Sequence, residues 1–319
     1  MKKTILINDG ISDVGKQALI KYDFQIIDQH IEQKELVKFI NENSISAILV
    51  RSATEVRKNI IDSCPSIKLI GRGGVGMDNI DVEYAKKKGV QVINTPGASS
   101  LSVAELVFSH FFSMARQLYH SNRTMPLEGD SNFKKLKKNY AKGIELKGKQ
   151  LGIIGFGKIG QEVAKIGLGL GMHVLFYDTY IKKQKITLEF YNQTRLEFTL
   201  KRTNFKELLE KSDMITIHVP KQKKPLITTK ELKLMKDTAL IVNTSRGGVI
   251  DEPDLMNALN NRKIKCAGLD VYENEPTPKM NILMNEYISL SPHIGAATTE
   301  AQERVGMELA EQINNILNG

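Results

Sequence analysis

Gly155-Phe156-Gly157-Lys158-Ile159-Gly160 follows a compact apolar run, Leu151-Gly152-Ile153-Ile154, and opens onto Gln161-Glu162-Val163-Ala164-Lys165-Ile166, where Ile159, Val163 and Ile166 recur at helical spacing. Strand, glycine turn and helix in that order leave few folds open. The first glycine permits the tight turn, the second lets backbone approach a pyrophosphate, and the third allows close packing of helix on strand, while the helix N-terminus presents N–H groups to the anion. A second apolar run, His173-Val174-Leu175-Phe176-Tyr177, ends in Asp178. An acidic side chain there accepts hydrogen bonds from a ribose diol and repels the extra phosphate of NADP, so the segment reads as an NAD site.

The motif alone is weak evidence, because Gly71-Arg72-Gly73-Gly74-Val75-Gly76 spells it a second time after Ile67-Lys68-Leu69-Ile70. Here the next strand, Val90-Gln91-Val92-Ile93, ends in Asn94, and Asp78 sits in the turn where it would repel phosphate. Only the later copy has its acidic partner at the right distance.

A chain of 319 residues is long for one domain and suits two, each with its own core. Hydrophobic content of 41% and charged content of 25% are those of an ordinary globular protein. No apolar run approaches a membrane span, and Met1-Lys2-Lys3-Thr4-Ile5-Leu6-Ile7 runs straight into a strand, so a cytoplasmic location without membrane contact is expected. Two cysteines, Cys64 and Cys266, make no disulfide framework and share no metal-ligand spacing with the six histidines, so no metal is expected. The net charge of +9 is scattered without interleaved aromatics, as at Lys86-Lys87-Lys88, Lys134 to Lys142, Lys182 to Lys185 and Lys221 to Lys224, which argues against nucleic acid as a partner.

Residues 1 to 98 alternate apolar runs with segments of helical spacing, the pattern of a parallel sheet covered on both faces. Leu101 to about Met125 reads as one long helix, apolar over a wide arc, and Leu127 to Lys149 as a polar, lysine-rich linker or arm. A second sheet starts at Leu151 and runs through Tyr287-Ile288-Ser289-Leu290, interrupted between 179 and 204 by two alternating runs, Lys185 to Phe190 and Arg195 to Leu200, that suit an exposed hairpin of no assigned function. Ala301 to Leu317 closes the chain as an amphipathic helix. The expected class is α/β with two doubly wound parallel-sheet domains. A flavodoxin-like substrate domain takes residues 1–98 plus 291–319, and a Rossmann NAD-binding domain takes 99–290.

Three stretches each follow a strand of the second sheet: Asn243-Thr244-Ser245-Arg246-Gly247-Gly248, Asp270-Val271-Tyr272-Glu273-Asn274-Glu275-Pro276 and Ser291-Pro292-His293-Ile294-Gly295. Hydride transfer from a secondary alcohol needs a base for the hydroxyl proton, a cation to hold an anionic substrate and a group to tune the base. His293, Arg246 and Glu275 are of those chemical types.

From Ile48 to Gln302 the sequence resembles the D-isomer-specific 2-hydroxyacid dehydrogenases, and within them the 3-phosphoglycerate dehydrogenases. The resemblance runs through Val50-Arg51-Ser52-Ala53-Thr54, Gly71 to Asn79, Asn94-Thr95-Pro96, Gly155 to Gly160, Asn243 to Gly247, Asp270 to Pro276 and Pro292 to Ala296. It implies that His293 is the acid/base, Glu275 its carboxylate partner and Arg246 a bidentate clamp on the substrate carboxylate and 2-oxygen. Arg51 and Ser52, with the backbone of Gly74, Val75 and Gly76, are implied to bind the rest of the substrate. For NAD it implies Gly155, Gly157, Gly160 and the amides of Lys158 and Ile159 at the pyrophosphate, and Asp178 at the ribose. It further implies His218, Val219 and Pro220 at the adenine, Thr244 and Asp270 at the nicotinamide amide, and Val75, Ser245, Gly295 and Ala296 near the cofactor.

Relatives carry a threonine after the His-x-Pro turn, where Lys221-Gln222-Lys223-Lys224 stands here, so this loop gets no role. The resemblance also implies a homodimer through residues 101 to 150 and a small, anionic, phosphorylated 2-hydroxy or 2-oxo acid as substrate. No regulatory serine-binding domain is expected after Leu317. The expected reaction is NAD-dependent oxidation of 3-phospho-D-glycerate to 3-phosphohydroxypyruvate. The rivals are a glyoxylate or hydroxypyruvate reductase, which needs no phosphate, and an NAD-sensing binding protein of the co-repressor kind.

Overall fold

Short runs of Ile, Leu and Val, separated by amphipathic segments, build the first sheet. Its strands β1 (Thr4–Ile7), β2 (Gln25–Asp28), β3 (Ala47–Val50), β4 (Leu69–Arg72) and β5 (Gln91–Asn94) alternate with α1 (Asp13–Lys21), α2 (Leu36–Glu42), α3 (Lys58–Ser63) and α4 (Val82–Lys87) in a computed structural model that describes residues 2–319. All pairings are parallel, in the order β2-β1-β3-β4-β5, which is the flavodoxin-like order. The central strands β1 and β3 are buried almost throughout, as strands covered on both faces must be.

The last helix of the chain, α13 (Thr299–Leu317), belongs to this unit. Thr298 caps it by accepting from the Ala301 amide, and Val305, Leu309, Ala310 and Ile313 pack with Ile5, Ile7 and Leu49. Each buried Val, Leu or Ile side chain there contributes about 2 kcal/mol. A Cβ on Gly15 would lie 2.6 Å from the Gly306 Cα, so α1 and α13 approach at a pair of glycines that no larger residue could replace.

The second unit, 103–295, holds the six-stranded parallel sheet. Along the chain, α5 (Ser100–Ala115), α6 (Leu118–Glu128) and α7 (Phe133–Asn139) precede β6 (Gln150–Ile154), α8 (Lys158–Gly169) and β7 (His173–Tyr177). Then come β8 (Lys183–Glu189), β9 (Arg195–Lys201), α9 (Phe205–Lys211), β10 (Met214–Ile217), α10 (Thr229–Leu232), β11 (Leu240–Asn243), α11 (Glu252–Asn260), β12 (Cys266–Leu269), α12 (Met280–Leu283) and β13 (Ile288–Leu290). The order is β13-β12-β11-β10-β6-β7, so chain direction switches between β6 and β10. Open α/β sheets bind ligands at the carboxyl ends of strands at such a point.

Two expectations need correction. The single helix from 101 to 125 is two helices, because Gln117 takes a left-handed conformation (φ 55°) between α5 and α6 and the Ala115 carbonyl accepts from the Ile144 amide instead of continuing the helix. The stretch 127–149 is more than a linker, since it forms α7 and buries Leu136 and Leu146.

The segment after Asp178 is a hairpin in which β8 and β9 pair antiparallel from Lys183 opposite Lys201 to Glu189 opposite Arg195. Ile186 anchors it in the core, and an isolated parallel bridge joins Phe176 to Arg202. It thus occupies the flank of β7 where the usual Rossmann order has another strand, and covers that sheet edge.

The unit boundaries fall at 102/103 and 295/296. Residues 99–102 therefore lie with the first unit and 291–295 with the second, where Asp270 binds Ser291, Ile294 and Gly295. Cys64 and Cys266 are buried free thiols whose ionisation burial opposes. Among the described residues no group of His, Cys, Asp and Glu is placed to hold a metal ion, and no helix is long and apolar enough to cross a membrane.

Candidate active site

The loop after β11 is shaped by Asn243. Its Oδ1 accepts from the Ser245 amide (3.0 Å) and the Ser245 hydroxyl (2.7 Å), and its Nδ2 donates to the Arg246 carbonyl at 2.9 Å. A Cβ on Gly247 would sit 1.8 Å from the Tyr272 carbonyl oxygen, so this loop presses against the one after β12 and only glycine permits it. That approach carries Arg246 toward Glu275, and the guanidinium charge helps keep the Glu275 carboxyl ionised.

Glu275 accepts from His293 Nδ1 at 2.7 Å through Oε2 and from the Tyr272 amide at 2.8 Å through Oε1. Burial pushes its carboxyl up, but the bonds from His293 and Tyr272 and the nearby Arg246 outweigh it, and the net shift is downward. An ionised carboxylate only accepts, so the proton of the neutral imidazole resides on Nδ1 and Nε2 is left basic.

His293 sits at φ 55°, a left-handed conformation that costs a non-glycine residue about 1 kcal/mol or more. Asp270 holds it there. Fully buried, this carboxylate accepts from Ser291 Oγ (2.6 Å) and from the amides of Ile294 and Gly295 (2.9 Å each). Asp270 was expected against a nicotinamide amide; three of its roughly four acceptor positions hold the His293 turn. Tyr272 joins the two loops as well, since its hydroxyl donates to the Ser291 carbonyl at 2.9 Å and lies 3.1 Å from that of Leu269.

The glycine turn is built for close approach. A Cβ on Gly155, at φ +89°, would lie 2.2 Å from the His218 carbonyl oxygen, and one on Gly160 would lie 2.3 Å from the Gly155 carbonyl oxygen. Gly157 has open space beside it, and as N-cap it supplies no side chain to the first-turn amides of α8, which include Lys158 and Ile159. Such amides are ready partners for an anion.

Asp178 accepts from the Phe156 amide at 2.7 Å and from those of Tyr180 and Ile181 at 2.8 and 3.0 Å. Burial raises its carboxyl, but these amides and the neighbouring Arg202 bring it below the usual range, so it is ionised and retains acceptor capacity. His218 and the half-buried Val219 follow β10, with Pro220 exposed beyond them. Burial pushes the His218 imidazole down to about 3; its Nε2 pairs with Thr216 Oγ1 at 3.0 Å while its buried Nδ1 has no partner. Thr244 Oγ1 is likewise buried and unpartnered. Unpartnered polar atoms, an uncapped helix and an ionised acid flank one switch point, and these residues fit a dinucleotide.

In the first unit the stem of Arg51 approaches Gly73, whose Cβ would lie 3.5 Å from the Arg51 Cγ. Ser52 is exposed, Gly74 is buried, and Asn94 donates to the Val75 carbonyl at 2.6 Å. Ala296 falls in this unit, where its carbonyl accepts from Gln302. Asp9, which carried no sequence signal beyond following an apolar strand, anchors the Arg51 loop. It accepts from the Arg51 amide (2.6 Å), the Thr54 amide (3.1 Å) and the Thr54 hydroxyl (2.5 Å). Asn79 completes the loop by donating to the carbonyls of Arg51 and Thr54. Asn243 and Tyr272 in the second unit, and Asp9 in the first, carry no sequence signal for these roles, because each acts through hydrogen bonds to specific atoms, local ones for Asn243 and ones more than forty residues away for Asp9.

A unit that combines this turn with a histidine–carboxylate pair is that of a dinucleotide-dependent oxidoreductase. The family model for the D-isomer specific 2-hydroxyacid dehydrogenase, NAD binding domain, matches residues 108–295. Hydroxypyruvate reductase of Thermotoga maritima is 41% identical over 313 residues, 96% of each chain. D-3-phosphoglycerate dehydrogenase of Methanocaldococcus jannaschii is 38% identical over 317 residues, 99% of this chain but 57% of that one, so the chain spans little more than half of that relative's length. The crystal structure of NAD+-bound 3-phosphoglycerate dehydrogenase from Entamoeba histolytica superposes with a TM-score of 0.78 at 26% identity, covering 100% and 96% of the two chains. The chain belongs to the D-isomer-specific 2-hydroxyacid dehydrogenases and is an NAD-dependent enzyme.

Proposed function

We propose that the enzyme interconverts 3-phospho-D-glycerate and 3-phosphohydroxypyruvate. The observation that carries the chemistry is the 2.7 Å bond from His293 Nδ1 to Glu275. It leaves Nε2 to take the hydroxyl proton when the alcohol is oxidised and to return it on reduction, and the carboxylate favours the imidazolium formed between. NAD, when bound, accepts or supplies the hydride. Lys158, Ile159, Asp178 and Thr244 would hold it, and Arg246 would hold the substrate carboxylate. Replacement of His293 by Asn is expected to lower kcat about 10²- to 10⁴-fold, measured by NADH absorbance.

The phosphorylated substrate is favoured by Arg51, whose guanidinium suits a doubly charged phosphate. A second reading, reduction of hydroxypyruvate or glyoxylate, is favoured by the relative that matches from end to end at 41% identity. Initial rates with 3-phosphoglycerate, D-glycerate, D-lactate and 2-hydroxyglutarate, repeated in Arg51→Met and Arg246→Ala, separate the two. On the first reading Arg51→Met raises KM for 3-phosphoglycerate by roughly 10²-fold and spares short acids, the loss of about 3 kcal/mol expected for a charge-assisted contact. Equal rates on D-glycerate and no effect of Arg51→Met would leave the second. Arg246→Ala depresses every substrate on either reading.

The exposed Phe112, Leu118, Met125, Leu127 and Phe133 suit contact with a second copy of the chain. Sedimentation of Leu127→Lys, expected to shift a dimer toward monomer, tests that.

A further inference from the structure

A buried chain of hydrogen bonds behind the His293 turn begins at His110, in the interior of α5, where the residue is 4% exposed. Its Nδ1 lies 2.9 Å from Ser289 Oγ and its Nε2 lies 3.0 Å from Ser291 Oγ. Ser291 Oγ donates in turn to Asp270 Oδ1 at 2.6 Å. Proton counting gives this chain a direction. A hydroxyl has one hydrogen, and that of Ser291 goes to the carboxylate, so Ser291 receives its second bond from a protonated Nε2. Burial lowers the His110 imidazole below its ordinary value against the pull of Asp270, so the ring is neutral, Nδ1 is bare and Ser289 donates to it.

The surroundings do not otherwise call for histidine. Val107, Phe108, Phe111 and Met114 on the same helix are core residues, and a leucine would be buried there without the cost of desolvating two nitrogens. Gly268 of β12 makes the approach possible, since a Cβ there would lie 3.0 Å from the His110 Cβ and Cγ.

We propose that His110 is a positioning residue for His293: it directs the Ser291 hydroxyl onto Asp270, which then clamps the Ile294 and Gly295 amides and fixes the left-handed turn. The proposal rests on the reading of His293 as the proton-transferring group. The test compares His110→Leu with His110→Gln in the full chain, because the Gln amide nitrogen reaches the Nε2 position and retains the donor. His110→Leu is expected to lower kcat about tenfold while changing KM for NAD by less than about twofold, as misplacement of a reacting group does. In the protein without ligands, amide hydrogen exchange at Ile294 and Gly295 should accelerate about tenfold without a matching change elsewhere. His110→Gln should restore both to within about threefold of wild type.

Unchanged exchange at Ile294 and Gly295 in His110→Leu, or a kcat loss that Gln does not repair, overturns the proposal. Should His110→Leu fail to fold, Ser289→Ala takes its place. By freeing Nδ1 it lets the ring turn, and it must move exchange at the same two amides in the same direction or the proposal fails. Full activity in His293→Asn would instead remove the reading of His293, a result distinct from the exchange outcome.

Discussion

Two loops with one spelling do different things in this chain. In Gly155–Gly160 the first and last glycines are demanded by backbone. The Cβ of an alanine at 155 would strike the His218 carbonyl and one at 160 the Gly155 carbonyl, neither of which can rotate away. In Gly71–Gly76 the tightest contact is with a side chain, since a Cβ on Gly74 would meet Arg72 Nη1 at 1.7 Å. A helix of 12 residues starts within the second motif at Lys158, whereas after the first no helix begins until Val82. The strand that follows ends in Asp178 in one case and in Asn94 in the other. The motif therefore specifies a tight turn, and the helix and the acid make it a dinucleotide site.

The largest consequence concerns Gly155→Ala. The site requires φ +89° and contact with a fixed carbonyl, so alanine must push β6 and β10 apart. NADH fluorescence titration is expected to detect no binding, with destabilisation of at least about 2 kcal/mol by thermal melting. Retained binding would show the turn to be pliable and undo the contrast.

Next in size is Asp178→Asn, which gives the second loop the strand end of the first. Asparagine keeps one acceptor oxygen but loses the charge, so the three amides now bound by the carboxylate are only partly served. NADH should bind about tenfold more weakly and discrimination against NADPH should fall, with Arg202 beside the site to receive a 2′-phosphate. Titration with both nucleotides measures it. Discrimination unchanged from wild type would mean that the acid serves only the turn.

A smaller effect follows from pH. His218 lines the second loop and its folded imidazole lies near 3, far below an unfolded value of about 6.5. A depressed folded value means that the stabilisation is complete above about pH 6.5 and is lost as pH falls toward 3, because the unfolded chain takes up the proton first. Thermal melts between pH 7 and pH 4 should decline less steeply in His218→Gln, by an amount on the order of 1 kcal/mol at the acid end. His110 is shifted in the same direction, so part of the decline will remain.

What could be read from residues alone was whatever repeats or abuts. The strands declared themselves as apolar runs, Asp178 as an acid closing one of them, and the hairpin at 183–201 as two alternating segments. Gln117 gave no warning of a helix break, because its left-handed conformation is imposed by the surrounding fold without Gly or Pro. Leu136 was lost among Lys134, Lys135, Lys137 and Lys138, though a single leucine suffices to dock a helix of seven residues. The struts of the site were illegible for another reason. Asp9, Asn243 and His110, and the hold of Asp270 on the His293 turn, depend on hydrogen bonds to specific atoms, and hydrogen-bond partners follow no period in sequence.

The smallest effect is expected at Gly73, and it is the sharper test of the contrast because it predicts tolerance. A Cβ there would find Val305 Cγ1 at 3.4 Å, Arg51 Cγ at 3.5 Å and Leu309 Cδ1 at 3.7 Å, all ordinary van der Waals contacts with side chains. The residue has no positive φ to lose. Gly73→Ala should therefore leave NADH binding unchanged and alter stability by no more than about 1 kcal/mol, toward greater stability if the unfolded chain's lost freedom dominates. Arg51 would feel the new methyl at its stem, so KM for a phosphorylated acid is the one parameter expected to move, by about threefold at most. If Gly73→Ala instead abolished NADH binding, the first loop would be a nucleotide site after all, and the distinction drawn from Asn94 and the delayed helix would be lost.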